Sequence, residues 1–119
     1  MSGSIGGISD NVTKALHMAL NGLDARQRAI SSNLANIETP GYHAREVNFE
    51  DSLRDAFADG DPTQTLTTTS QSLAATRLNG NNVNIDFEVL NSSENVLRQK
   101  LVVQALNNKY SLLRTAITG

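Results

Sequence analysis

The sequence predicts an all-α protein in which two long terminal helices pack as a coiled-coil-like pair. Apolar residues recur at three- and four-residue steps in the first third of the chain and again in the last third. This is the spacing of amphipathic helices that lie along other helices. A short helical pattern and a Thr-rich segment join the two patterns, and we expect that segment to be irregular or extended. All 119 residues are expected to form one domain.

The first long helix is expected over residues 8–38. Its apolar stripe, interrupted only by the polar Gln27, consists of Leu16, Leu20, Leu23, Ile30, Leu34 and Ile37. The pattern cannot continue through Pro40, because proline has no N–H to donate and disfavours helical angles in the residue before it. Gly41 adopts a positive φ without strain, so Pro40 and Gly41 suit the central positions of a type II turn.

The middle of the chain, residues 39–82, is expected to contain this turn, a short helix and a loop. Phe49 and Leu53 fall on one face of the short helix, and Gly60-Asp61-Pro62 ends it. Residues 63–72 are rich in Thr, Ser and Gln, with Leu66 as the one apolar side chain. Such a segment cannot bury enough surface to fold alone, which predicts a loop.

The second long helix is expected over residues 84–118. It carries two apolar stripes, one with Phe87, Leu90, Leu97 and Leu101 and one with Val96, Val103, Leu106, Tyr110, Leu113 and Ile117. Two stripes on one helix predict two packing partners. At 1.5 Å per residue the helix would be about 50 Å long. Two such helices paired only with each other would leave much apolar surface in water, which predicts polymerisation.

Composition and motif searches exclude several classes of function. A formal net charge of −2 argues against binding to nucleic acid and against direct binding to anionic lipid. The chain has no Cys, and His17 and His43 belong to no set with metal-ligand spacing, so we expect no metal and no cofactor. No nucleophile or phosphate-loop context is present, and we expect no enzymatic activity. The first residues also lack the pattern of a cleaved secretory signal.

One motif resembles the signature of a known family. Asn33-Leu34-Ala35-Asn36, two further residues and Thr39-Pro40-Gly41-Tyr42 are similar to the signature of the flagellar rod and hook family of axial proteins. Asn81-Asn82-Val83-Asn84-Ile85-Asp86 and the ending Leu113-Arg114-Thr115-Ala116-Ile117 resemble the proximal rod members of that family. The resemblance covers roughly residues 8–58 and 80–117, and the Thr-rich middle matches little.

The resemblance implies a structural subunit of the proximal rod of the flagellar basal body. Such a subunit would polymerise through its terminal helices into the drive shaft around the export channel, in the periplasm. Its partners would be further copies, other rod subunits, the proteins at the junction of the MS ring and rod, and the type III export gate during transit. Export would need no cleaved signal peptide. Phe49 and Leu53 resemble the short apolar element that engages this gate, although their spacing alone favours a plain role in the protein core.

Two other classes of function remain open from the residues. A secreted or cytoplasmic helical adaptor could use the paired helices to bind a partner coiled coil, and it would be a stable monomer or small oligomer. A small helical enzyme is the other class. It is disfavoured because the sequence offers no convergent set of titratable residues.

Overall fold

The computed structural model describes the backbone of residues 2–118 and the side chains of residues 10–112, 114 and 115. The long helices are α1, Ser2–Ala35, and α3, Ile85–Thr118, and the short helix is α2, Glu50–Ala58. A 3₁₀ turn, Pro62–Gln64, follows α2, and the strands are β1, Arg45–Asn48, and β2, Thr68–Gln71. The two long helices lie antiparallel, and the molecule is 62 Å in its longest dimension.

The expectation of an all-α protein was wrong, because β1 and β2 form a two-stranded antiparallel sheet. Arg45 lies opposite Gln71, and Asn48 lies opposite Thr68. Neither strand shows the apolar alternation that marks a half-buried strand, since Val47 is the one buried side chain of the eight. The β-branched threonines of β2 favour extended backbone, and pairing with β1 supplies the hydrogen bonds that the segment lacks alone.

The edge of β1 that faces away from β2 is closed by side chains of α1. The Asn33 amide donates to the backbone oxygen of Arg45 and accepts from its N–H, at 3.0 and 2.8 Å. Nε and Nη2 of Arg26 donate to the backbone oxygen of Val47, at 3.3 and 2.7 Å. The strand is therefore fixed to the helix by polar contacts rather than by a third strand.

A small apolar core lies where α1, β1 and α2 meet. It is formed by Leu23, Val47 and Phe49, which are all at least 95% buried. The Phe49 ring lies directly on Gly22, where an added Cβ would be 2.4 Å from ring carbons. The Arg26 guanidinium stands 5.0 Å from the centre of the same ring, a cation–π distance.

Arg26 also forms an ion pair with Glu50 at the start of α2. Burial alone would raise the pKa of the Glu50 carboxyl, but the hydrogen bond and positive charge of Arg26 outweigh that effect and hold the pKa below its ordinary value. One arginine thus contacts the strand, the ring and the second helix. Among the residues described, no helix combines the length and the apolar character needed to cross a membrane.

Replacing Gly22 by alanine should destabilise the fold. The added methyl would collide with Phe49, and we expect the free energy of unfolding to fall by about 1–3 kcal/mol, the range for overpacking a core. This loss exceeds the roughly 0.5–1 kcal/mol that Gly→Ala normally gains within a helix. Urea unfolding followed by circular dichroism measures it, with exposed Asn21→Ala as the matched control. A Gly22→Ala chain as stable as wild type would contradict the packing of Phe49 on this glycine.

Candidate functional site

Four asparagine side chains bond the chain together around the end of α1, the two strands and the start of α3. We call Asn33, Asn36, Asn81 and Asn82 the asparagine cluster. Asn33 and Asn81 are 1% and 0% exposed, Asn82 is also buried, and Asn36 is half-buried. Polar side chains at such depth are stable only when their donors and acceptors are bonded, so the bonds of each define what the site does.

Asn33 uses its complete hydrogen-bonding capacity. Nδ2 donates to the Arg45 oxygen and to Oε1 of Glu88 on α3, both at 3.0 Å. Oδ1 accepts from the Arg45 N–H at 2.8 Å and from the Tyr42 hydroxyl at 3.0 Å. An amide offers two donors and two acceptor positions, and all four are occupied. One side chain thereby links α1, the residue after the turn, β1 and α3.

Asn81 closes the end of α1 from the other side. Its Nδ2 donates to the backbone oxygens of Asn36 and Thr39, each at 2.9 Å, and its Oδ1 accepts from the Val83 N–H at 2.8 Å. Asn36 adds a local bond, since its Oδ1 accepts from the Thr39 hydroxyl at 3.1 Å. The backbone oxygens of Asn36 and Thr39, which also accept local backbone bonds, thus gain a second donor from a segment more than 40 positions away.

Asn82 fixes the chain that leads into β1 and away from β2. Its Oδ1 accepts from the Ala44 N–H at 2.6 Å, and its Nδ2 donates to the oxygens of Ser72 and Ala74, both at 3.1 Å. These bonds connect the ends of both strands to the residues just before α3. The cluster therefore fixes the position of the two-stranded sheet, which we call the β-ribbon, relative to the helix pair.

The turn between α1 and β1 brings two glycines together. The Tyr42 N–H donates to the Thr39 oxygen at 3.2 Å and Gly41 has a φ of +75°, which is the geometry of a type II turn with Pro40 at its first central position. Gly80 has a φ of +82°, and a Cβ there would lie 3.3 Å from the Gly41 Cα. The close approach and the positive φ values both require glycine.

Glu88 is the one buried carboxylate that contacts the cluster. Burial raises its pKa above the ordinary value, the hydrogen bond from Asn33 lowers it in part, and the negative charge of Glu46 raises it further. The carboxylate has no cationic partner in direct contact among the residues described. Its ionisation is therefore coupled to the stability of the cluster.

The predicted packing stripes have different surroundings in the structure. On α1, Leu23 and Ile30 are buried and Leu16, Leu20 and Leu34 are half-buried. On α3, Leu106 is buried, whereas the other stripe residues whose side chains are described are exposed: Phe87, Leu90, Val96, Leu97, Leu101, Val103 and Tyr110. The side chains of Leu113 and Ile117 lie outside the described residues.

The contact between α1 and α3 is polar over much of its length. Nδ2 of Asn95 donates to the Leu23 oxygen at 2.9 Å and to Oε1 of Gln27 at 3.0 Å, and Gln27 donates to the Ser92 hydroxyl at 3.0 Å. His17 and Tyr110 add a side-chain bond of 3.2 Å. Asn95 is buried, and its Oδ1 has no partner among the described residues. The face that α3 turns towards α1 is thus more polar than the face it exposes.

The remaining predicted residues serve the fold. Phe49 is buried in the core and Leu53 packs half-buried against it. Within the signature, Leu34 is half-buried and Ala35 exposed, and neither has a side chain that can join the hydrogen-bond network. No group of three or more His, Cys, Asp or Glu side chains that could hold a metal ion exists in the part of the chain that the structure describes.

The sequence identifies Asn81 and Asn82 only through the resemblance of residues 81–86 to proximal rod proteins. The signal that could have identified their role is the density of asparagine, with Asn79, Asn81, Asn82 and Asn84 within six residues. Asparagine side chains imitate backbone donors and acceptors, so a run of them indicates a segment that bonds to irregular backbone elsewhere.

The comparisons with known proteins support the resemblance of the signature to flagellar rod proteins. A model of the family described as "Flagella basal body rod protein" matches residues 16–43, which end one residue after the signature. The chain is similar to flagellar basal body rod protein FlgB of Bacillus subtilis strain 168, with 29% identity covering 87% of this chain and 91% of the relative. FlgB of Cereibacter sphaeroides is 31% identical, covering 81% and 85%. FlgB of Escherichia coli K12 is 29% identical, covering 76% and 81%.

Removing the Asn33 amide should destabilise the whole junction. In Asn33→Ala the N–H and oxygen of Arg45 lose their partners, and each buried unsatisfied group costs about 1–3 kcal/mol. We expect a total loss of about 2–4 kcal/mol in the free energy of unfolding, measured by urea unfolding. Ser31→Ala, at an exposed position of the same helix, should have little effect. Equal stability of the two variants would mean that water replaces the amide.

Replacing Glu88 by glutamine should stabilise the protein at neutral pH. A carboxyl whose folded pKa is raised contributes stability below its unfolded pKa, and that stability is lost as the pH rises through the folded pKa. Glutamine keeps the acceptor for Asn33 but cannot ionise. The difference in melting temperature between Glu88→Gln and wild type should therefore be small at pH 4 and favour the variant at pH 7. Comparing the two proteins cancels the opposite pH dependence expected from Glu50.

The control for this prediction is Glu94→Gln, at an exposed position of α3. Its effect on the melting temperature should be small and similar at both pH values. A Glu88→Gln variant that is less stable than wild type at pH 7 would contradict the prediction.

Proposed function

The chain belongs to the FlgB family of flagellar basal body rod proteins, and from this premise we propose that it polymerises through its terminal helices in the proximal rod, around the export channel. The family is structural and not an enzyme family. Assembly with other components of the rod follows from membership. What the residues add is a description of the surface through which this chain would assemble.

One observation carries the proposal: α3 leaves apolar side chains exposed along most of its length. We call the exposed apolar residues between positions 89 and 110 the outer stripe, and its members are 37–58% exposed: Val89, Leu90, Val96, Leu97, Leu101, Val103 and Tyr110. Val89, Val96, Val103 and Tyr110 follow one another at seven-residue intervals, the repeat with which helices pack along helices. A stripe of this length on a single chain is a surface that a neighbouring helix would cover.

The energetics favour such a neighbour. Fully burying one leucine or valine side chain contributes about 1.5–3 kcal/mol, so partial burial of seven residues offers a large gain. The contact between α1 and α3 captures only part of it, because Asn95, Ser92 and Glu88 share the face turned towards α1 with Val102, which packs against Leu23 and its neighbours. The cohesion of a rod would therefore come from contacts between subunits rather than from within each one.

The two long helices differ in what they present outward. The exposed positions of α1 include charged residues, with Lys14 bonded to Asp10 and Arg28 bonded to Asp24. A charged face is poorly suited to cover the outer stripe of a neighbouring subunit. We expect α3 to provide the main apolar contact and α1 to face water or polar groups.

Export and position in the cell complete the proposal. The subunit would pass through the type III export gate, without a cleaved signal peptide, and assemble in the periplasm beside the proteins that join the MS ring to the rod. Phe49 is 4% exposed, so it can contact the gate only while the chain is unfolded. Transit in an unfolded state makes the core role of Phe49 compatible with a role of Phe49 and Leu53 in export.

Leu101→Asp should prevent assembly without unfolding the chain. Leu101 is 56% exposed, so the isolated protein should keep its helicity, whereas a charge in the subunit contact should reduce incorporation at least tenfold. The measurement is the amount of the chain in basal bodies purified from a flagellated bacterium that lacks its own copy of the protein. Swimming in soft agar provides a second readout.

Gln104→Asp introduces the same charge at an exposed polar position of α3, and it should assemble normally. Leu106→Asp is less informative, because Leu106 is buried and its loss would disturb the subunit itself. Normal incorporation and motility of Leu101→Asp would rule out the outer stripe as the assembly surface.

A further inference from the structure

Two Asn-Gly pairs occur in the sequence, Asn21-Gly22 and Asn79-Gly80, and the fold places them in different surroundings. Because glycine has no side chain to shield its nitrogen, an asparagine that precedes it is open to attack on its own side-chain amide. Asn21-Gly22 lies inside α1, with Gly22 buried under the Phe49 ring. Asn79-Gly80 lies in the segment before α3, with Asn79 exposed and Gly80 half-buried.

The second pair belongs to a tight three-residue loop. The Gly80 N–H donates to the Arg77 oxygen at 2.9 Å, and the Arg77 N–H donates to the Asn81 oxygen at 2.8 Å. Gly80 has a φ of +82°, and in the part of the chain that the structure describes only glycines have a positive φ. The turn through Leu78 and Asn79 is therefore of type I, followed by a glycine in the left-handed region. An exposed loop held by so few bonds opens locally at low cost.

A hydrogen bond holds the Asn79 side chain beside the Gly80 peptide. Oδ1 of Asn79 accepts from the Asn81 N–H at 3.1 Å, which closes an Asx-turn around that peptide. The same N–H would stabilise negative charge on Oδ1 when Cγ becomes tetrahedral, as the donors of an oxyanion hole do. Asn79 thus combines an accessible amide, a following glycine and a donor on the oxygen that would gain charge.

We propose that Asn79 converts spontaneously to isoaspartate. When the loop opens, the Gly80 nitrogen gives its proton to water or hydroxide and bonds to Cγ of Asn79. The side-chain nitrogen of Asn79 takes up a proton and leaves as ammonia, so that a cyclic imide remains. Water then opens the imide at the former backbone carbonyl carbon, which gives isoaspartate, or at Cγ, which gives aspartate. The net change is the uptake of water and the release of ammonia, with no oxidation or reduction.

The isoaspartate product would weaken the junction around the asparagine cluster. It lengthens the main chain by a methylene before Gly80 and turns the Asn79 backbone carbonyl into a free carboxylate. That carbonyl oxygen accepts from the Gly41 N–H at 2.8 Å, and a Cβ on Gly80 would lie only 3.3 Å from the Gly41 Cα. Asn81 must at the same time keep its buried bonds to the end of α1. A longer chain cannot keep both sets of contacts unchanged.

The test follows both asparagines in the intact chain at pH 8 and 37 °C. Proteolysis and mass spectrometry measure the loss of each amide, and chromatography separates the isoaspartate peptides from the aspartate peptides. We expect Asn79 to convert at least about tenfold faster than Asn21, because attack by Gly22 requires opening the middle of a long helix. In urea the fold is lost, and the two rates should become similar.

Asn79→Ser is the matched control. Serine keeps an oxygen that can accept from the Asn81 N–H, but it has no carbonyl carbon for the Gly80 nitrogen to attack. After the same incubation, the melting temperature of the wild-type chain should fall as its isoaspartate content rises. The melting temperature of Asn79→Ser should stay constant.

The opposite results are equally clear. Equal rates at Asn79 and Asn21 in the folded chain, conversion of Asn79 only in urea, or no conversion even in urea would each overturn the proposal. An unchanged melting temperature at high isoaspartate content would overturn the effect on the junction. This chemistry is independent of rod assembly, which Leu101→Asp tests separately.

Discussion

The buried amide of Asn33 is the constraint on which the rest of the structure depends. It satisfies both backbone groups of Arg45, holds the Tyr42 hydroxyl and reaches Glu88 on α3. Few other side chains could do so, because two donors and two acceptors must diverge from one planar group. With Asn33 in place, the turn is held beside α1, β1 is parallel to a helix face, and α3 has a fixed contact at its first turn. The signature is thus a set of hydrogen-bonding requirements and not simply a helix stop.

The polar contact between α1 and α3 extends this logic along the helix pair. A buried asparagine in a helix interface specifies register at the expense of stability, because a shift by one turn would leave its donors unpaired. Asn95 and Gln27 do this here, with Ser92 completing the bonds. An apolar contact between α1 and α3 would have been more stable, but it would have buried the leucines and valines of α3 within the subunit. The sequence instead leaves these on the outside, where they can contribute to a contact between molecules.

The sequence predicted the elements that depend on local pattern. The periodicity of Leu16 to Leu34 indicated the first long helix, Pro40-Gly41 indicated the turn, and the resemblance of the signature to flagellar rod proteins is confirmed by the relatives. The sequence did not predict the elements whose structure depends on residues far away in the chain. The strands have one buried side chain, so their pairing depends on Asn33 and Arg26, which lie earlier in the chain. Gln27 looked like an intruder in an apolar stripe, and only the position of Asn95 on another helix explains it. A single sequence does not predict which asparagine side chains form hydrogen bonds with which distant residues.

The chain exposes two surfaces that differ in chemistry. The outer stripe of α3 offers apolar area, and burying it is favourable in almost any direction, so it provides cohesion without orientation. The β-ribbon exposes the polar residues of β2, whose hydrogen bonds contribute little net energy in water. Both surfaces are connected through one site. The asparagine cluster sets the distance and angle between them, because it fixes the ribbon to the start of α3. A change in the cluster would therefore alter the geometry of assembly even if each surface remained intact.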